Sequence, residues 1–151
     1  IMTVVNEAAA FTKSVLGTVV TKASGTLAST AIPVFTVAGG EVMITSMWLK
    51  VTTSITTDGG TVALQMNPTT GDTMTLVAAT NLGTTDTLAG GIVGIDNDVD
   101  TAPLFLRGGR NNVGWVVTTG QVEILPAAAN GAVTIGVTYV PLTSGATLAA
   151  A

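Results

Sequence analysis

Val42-Met43-Ile44-Thr45-Ser46-Met47-Trp48-Leu49-Lys50-Val51-Thr52-Thr53 is the stretch on which the reading of the whole chain turns. It is the most apolar run in the sequence, but Thr45, Ser46 and Lys50 interrupt it. A membrane-spanning helix needs about 20 consecutive apolar residues, so a spanning segment is not expected. Val, Ile and Thr are stiff at χ1 and favour extended backbone. Side chains of a strand alternate between its faces. One face then carries Ile44, Ser46, Trp48 and Lys50, and the other carries Met43, Thr45, Met47, Leu49 and Val51. The second face is expected to turn to the core. Trp48 is left beside Ser46 and Lys50, which makes it a candidate subunit contact, with core placement as the alternative.

The same reading extends outward. Upstream, Ile32 to Val37 is a short apolar run entered through Pro33 and closed by Gly39-Gly40. Downstream, Asp58-Gly59-Gly60 signals a turn before Thr61 to Asn67, where Val62, Leu64 and Met66 share one side. Pro68 to Asp72 turns the chain into a strand over Thr73 to Ala79. Asn81 to Gly91 reads as a loop or short edge pieces, Ile92 to Ile95 and Leu104 to Leu106 as brief strands, and Gly108 to Asn111 as a turn. Val113 to Thr118 and Gln121 to Leu125 resemble a hairpin closed near Thr119-Gly120. After the Asn130-Gly131 turn, Val133, Ile135, Val137 and Tyr139 fall on one face of a last strand.

About eight to ten short strands between turn signals predict an all-β fold, an antiparallel β-sandwich or a jelly-roll or barrel-like domain. The expected organisation is an N-terminal arm over 1–25, a sandwich over 26–141 and a C-terminal arm over 142–151. Asn6 to Leu16 has fair helix propensity without an apolar stripe, and reads equally as part of an extended arm. The small, apolar, uncharged residues from Leu142 to Ala151 are expected to be mobile alone in water.

Composition narrows the chemistry. The chain has 151 residues, 47% of them hydrophobic, and a net charge of -4. Charged residues are 9% of it, against about 25% in a typical soluble domain. With no His and no Cys, it cannot form a Ser-His-Asp triad, a Cys nucleophile, a His/Cys zinc site or a disulfide. Lys13, Lys22 and Lys50 stand apart, and only Arg107 and Arg110 are close. Nucleic-acid binding needs clustered cations and is not expected. The N-terminus lacks the basic start and compact apolar block of a secretory leader. Thr stands where most surfaces use Lys and Glu, and a surface so poor in charge is weakly protected against association. Cover by other subunits is the expected consequence.

Several features carry site chemistry only partway. Asp96, Asp98 and Asp100 alternate as at the start of a calcium loop, but Thr101 and Arg107 stand where that loop needs Gly and Glu. A solvated loop tip is the expected reading. Paired carboxylates can hydrolyse glycosides, but Glu7, Glu41, Glu123 and the Asp residues sit mostly in turns, with few aromatics to stack a sugar. The glycine doublets lack a following Lys-Ser/Thr and read as turns, not phosphate loops. No catalytic residue, cofactor or metal is expected. The candidate interface residues are Trp48, Trp115, Phe11, Leu142 and Leu148. Met2 to Ser24, Leu142 to Ala151, or both are expected to supply intersubunit contacts.

Two segments carry a resemblance. Ala31-Ile32-Pro33-Val34-Phe35-Thr36-Val37-Ala38-Gly39-Gly40-Glu41-Val42-Met43-Ile44-Thr45-Ser46 is one. Val133-Thr134-Ile135-Gly136-Val137-Thr138-Tyr139-Val140-Pro141-Leu142, followed by Thr143-Ser144-Gly145-Ala146-Thr147, is the other. Together they resemble small structural proteins of tailed bacteriophages. That resemblance implies a virion component, either a head decoration (cement) protein or a minor tail or fibre-associated one. It implies no catalytic residues. The expected partners are further copies of the chain, with a trimer as the favoured closed form, and the major capsid protein or other virion proteins. The expected location is the capsid surface of a virion after synthesis in the host cytoplasm. A self-assembling extracellular filament or surface-layer subunit, and a receptor- or sugar-binding module, are the alternatives.

Overall fold

The computed structural model describes residues 17–56, 60–83, 85–96, 104–107, 114–127 and 130–151. Its strands are β1 (Thr18–Thr26), β2 (Ile32–Ala38), β3 (Val42–Thr53), β4 (Thr61–Pro68), β5 (Met74–Asn81) and β6 (Ile92–Asp96). They continue as β7 (Leu104–Arg107), β8 (Trp115–Val117), β9 (Gly120–Pro126), β10 (Ala132–Pro141) and β11 (Thr147–Ala150). Sheet A runs β1-β10-β3-β6-β7, with β8 sharing the β6 side of β3 at its other end. Sheet B runs β11-β2-β9-β4-β5. All pairings are antiparallel. The fold is an all-β sandwich of two separate sheets and does not close into a barrel.

The core is one aliphatic seam between the sheets. Sheet A contributes Ile44, Met47, Leu49, Val51, Val93, Ile135 and Val137, and sheet B contributes Val34, Phe35, Val37, Leu64, Met66, Val122 and Ile124. Where a strand alternates without interruption, the residues expected to share one side do so, and that side is the core. Val62, Leu64 and Met66 are buried, as are Val133, Ile135, Val137 and Tyr139.

β3 departs from its expected faces. Tyr139 pairs with Ile44 but Thr138 pairs with Ser46, which leaves Thr45 as an extra residue. This β-bulge resets the alternation. Val42 and Ile44 are buried before it, and Met47, Leu49 and Val51 after it, while Met43 and Thr45 turn outward. β2 has the same device at Val34: Pro33 pairs with Glu123 and Phe35 with Val122, so Val34 and Phe35 both point inward.

The expected hairpin over 113–125 does not form. β8 pairs with β3 in sheet A, whereas β9 lies between β2 and β4 in sheet B. The chain crosses from one sheet to the other at Gly120, whose φ is 152°. A side chain there would lie 2.4 Å from the Asn67 carbonyl oxygen, so only glycine lets the crossing pass this close.

The expected arms are also corrected. Residues 18–25 belong to β1, which pairs along β10 from Thr18 opposite Tyr139. Val20 turns inward and packs on the core, so the strand is part of the sandwich. At the other end, β11 pairs with β2, and Leu148 is 2% exposed. The segment between β10 and β11 is held by the β2–β3 turn. The amides of Leu142 and Thr143 both donate to the Glu41 carbonyl, at 3.0 and 3.2 Å. Leu148 is thus a core residue, contrary to its expected interface role: its inward position on β11 covers the outer flank of β2. The remainder of the N-terminal arm, with Phe11, lies outside the described residues.

Leu148→Ala is therefore expected to lower stability by about 2–5 kcal/mol, read as a shift of the urea midpoint at unchanged slope. A mobile tail at this position would leave the midpoint where it was.

Candidate interaction surface

The register of sheet A places six partly or well exposed apolar residues on its outer face. Val116, Met43 and Val140 pair across one row. Ser46, Thr138 and Val19 form the next row, and Trp48, Gly136 and Thr21 the one after. Ile92, Lys50, Thr134 and Ala23 complete the face. Val19 is 63% exposed, Val116 52% and Ile92 40%. Met43, Trp48 and Val140 are half-buried. Lys50 is the only charged side chain in these rows.

Trp48 lies flat across the neighbouring strand. A Cβ built on Gly136 would sit 2.3 Å from Cζ2 and 2.4 Å from Cε2 of the indole. A glycine inside a strand marks a close approach, and here it makes room for the ring. The result is a flat aromatic plate in the middle of the face. It is flanked by β-branched residues and hydroxyls, with the Thr45 hydroxyl donating to the Thr138 carbonyl at 3.2 Å.

The outer face of sheet B has a different character. Glu123, on the central strand β9, is 6% exposed although it points away from the core. Gln65 Nε2 donates to its Oε2 at 2.6 Å and Asn67 Nδ2 to its Oε1 at 3.3 Å. Two amides on the adjacent strand thus satisfy both carboxylate oxygens, as a buried charge requires. Beyond Asn67 lies an open groove of about 450 Å³ whose lining includes Thr36, Thr69, Thr119 and Gln121. No aromatic side chain lines it among the described residues, so it lacks a platform for stacking a sugar ring.

Glu41 belongs to a third place, the end of the sandwich where β10 hands the chain to sheet B. Thr143 Oγ1 accepts the Glu41 amide at 3.2 Å and donates to the Glu41 carboxylate. That side-chain bond, followed by a bond to its own backbone, holds the Glu41 carboxyl below its ordinary value of 4.5. Leu142, 49% exposed, stands beside this clamp. Glu41 and Glu123 each have their own partners and share none of their hydrogen bonds.

The structure separates the residues singled out in the sequence. Trp48 is on the outer face of sheet A. Trp115 pairs opposite Ile44 and packs against the edge of the core. Leu142 is exposed at the sandwich end, and Leu148 is in the core. Asn97 to Asp100, like Phe11, fall outside the described residues. Among the described residues, no group of three or more acidic side chains could hold a metal, and no helix is long and apolar enough to cross a membrane. Sequence reasoning missed Val19 and Val116 as members of one surface. It also missed the clasp of Glu123 by Gln65 and Asn67. Gly136, alone amid β-branched residues, was the available signal for the Trp48 contact.

Compared with protein-family models, curated proteins and solved structures, the chain matches none.

Gly136→Ala is expected to push the indole off β10. The variant should lose about 1–3 kcal/mol and show red-shifted Trp48 emission when measured in a Trp115→Phe background. Unchanged emission would mean that the ring does not rest on Gly136. Thr143→Val should raise the Glu41 titration toward 4.5 in a carboxyl-resolved NMR experiment. Because folding lowers this carboxyl's proton affinity, the clamp contributes fully above the ordinary value of 4.5. Its contribution is lost as pH falls through the lowered folded value. Thr143→Val should therefore cost stability at neutral pH and little under strongly acid conditions.

Proposed function

We propose that this chain is a non-enzymatic structural subunit of a virion, working as a capsid decoration protein through contacts with its own copies and with the shell. The observation that carries this reading is the outer face of sheet A, where, in the four described rows, apolar residues and hydroxyls are accompanied by one lysine. Exposed large apolar residues gathered on one face point to an interaction site. A chain with 9% charged residues has little else to keep such a face apart from a partner. The likeness of its two quoted segments to small tailed-phage structural proteins supports the virion setting.

A decoration protein needs adhesion without chemistry, and the described residues are arranged accordingly. Glu123 and Glu41 are engaged by amides and a hydroxyl, and the sheet B groove offers neutral polar groups. A minor tail protein or an extracellular filament subunit would use the same kind of surface, and assembly symmetry separates them. Closed contacts give discrete particles, while an open head-to-tail contact gives fibres.

Light scattering of the purified chain across a concentration series, with negative-stain microscopy of the same samples, is expected to show a discrete small oligomer. Fibres would transfer the reading to the filament subunit. A monomer persisting at high concentration would overturn the assembly reading.

A further inference from the structure

We infer that the outer face of sheet A is a self-contact, at which two copies of this chain pack sheet against sheet about a two-fold axis passing near Gly136 and Trp48. This inference rests on the structural-subunit reading above and names the surface and the partner that reading requires.

The first argument is the difference between the two outer faces. Both sheets are antiparallel and each covers one side of the same core. On sheet B the outward positions hold Thr36, Thr75, Gln65, Asn67, Gln121 and Glu123, with Pro33, Ala63 and a half-buried Leu125 as their apolar neighbours. That is the ordinary hydrophobic-in, polar-out alternation of a solvated sheet. On sheet A the corresponding positions hold Val19, Met43, Trp48, Ile92, Val116 and Val140. Thr21, Ser46, Lys50, Thr134 and Thr138 stand among them, so large apolar side chains make up about half of this face, a shift toward the composition of a sheet covered on both sides. One side of sheet A is covered by sheet B, and the other needs a partner.

The second argument is charge. A two-fold contact brings a patch against itself and therefore requires self-complementarity. A strongly acidic or basic patch fails that requirement. The four described rows meet it, because Lys50 is the only charged side chain in them and shares its row with Ile92 and Thr134. An axis near Gly136 places the two lysines on opposite sides of the centre, one row away from it, and the two indole plates near each other. A three-fold ring would use this face only with a second, different patch complementary to it, whereas a two-fold contact needs this face alone.

The third argument is area. The rows run from Met43 to Lys50 along β3 and from β1 to β6 across the sheet. With strands about 4.8 Å apart and about 3.4 Å per residue, plus the side-chain fringe, the face measures about 20 by 30 Å. Two such faces bury about 1,200 Å², the level at which stable specific interfaces begin. Aligned packing at about -30°, usual for stacked sheets, lets β-branched side chains of the two faces interdigitate.

The test uses the intact chain in sedimentation velocity and light scattering. Val19→Glu combined with Val116→Glu places carboxylates on two highly exposed positions of the face, where they do not disturb the core. Self-association should weaken on the order of 100-fold or more, since each carboxylate would be buried unpaired. Thr36→Glu combined with Thr75→Glu, on the outer face of sheet B, should leave it unchanged. Circular dichroism and the melting temperature verify that both variants fold. Because the chain has no Cys, Thr138→Cys should be joined into a covalent dimer by a bis-maleimide long enough to span stacked sheets about 10 Å apart, and Thr36→Cys should not. If the sheet A carboxylates leave association intact, or the cross-link forms only from position 36, this surface assignment is wrong while the structural-subunit reading stands. If the unmodified chain is monomeric throughout, both fall.

Discussion

The pairing of β3 with β10 is the constraint from which the remaining architecture follows. Their ladder runs from Val42 opposite Pro141 to Thr53 opposite Ala132. Nearly every inward residue along it is an aliphatic buried to within a few per cent. The ladder contains one irregularity that matters for both faces, the extra residue at Thr45. Without it, Ile44 and Met47 would lie on opposite sides of the sheet, and no single register could bury both. With it, both halves of β3 face the core, and the residues released outward are Met43, Trp48 and the Thr45 hydroxyl. The bulge thus builds the core and the candidate contact surface in one step.

Edges are the complementary problem. A sheet edge presents unpaired backbone groups that can recruit another chain without limit. Here β1, at the margin of sheet A, runs beside β11 and β2 of sheet B, and β5 runs beside β7 at the opposite margin. Lys22 shares the inward parity of Val20 on β1, and its ammonium donates to the Ala151 carbonyl. An inward-pointing charge on an edge strand is a recognised device against edge-to-edge pairing. The last residues of the chain are tied in by the Ala151 amide, which donates to the Val34 carbonyl at 3.1 Å. The stretch expected from composition to be a loose arm therefore closes the margin where the two sheets meet.

What was legible in the sequence was local periodicity. Val62, Leu64 and Met66, and the Val133 to Tyr139 series, could be assigned to the core because each strand keeps a period of two from end to end. Ile44 could not, because a bulge depends on the partner strand. Nor could the relation of β8 to β9 be read. Two β-prone runs about a Thr-Gly pair look like a hairpin, but sheet membership depends on which flanks are open elsewhere: the short edge of β3 beside Val42, and the gap between β2 and β4. Leu148 was misread for a similar reason, since small apolar neighbours suggest a tail until β2 is seen to need cover. Trp48 was readable as an outward residue from its parity with Lys50. The face around it was not, since Val19, Trp48, Val116 and Val140 come from four strands distant in sequence.

The low charge of the chain acquires a physical meaning from this arrangement. Threonine supplies the β propensity and the hydroxyl that an exposed strand position needs without the desolvation cost of an ammonium or carboxylate when that position is covered. On sheet B such residues are accompanied by amides and a satisfied carboxylate, and the face is compatible with water. On sheet A they are interspersed with valine, methionine and a tryptophan laid flat on glycine, and the face is compatible with another surface of its own kind. With β1 and β5 packed beside strands of the opposite sheet, the self-contact proposed above would stop association once that face is covered. A subunit required in many copies, at a fixed stoichiometry and without runaway fibre growth, needs that combination. The same composition spread over an open edge would favour the opposite outcome.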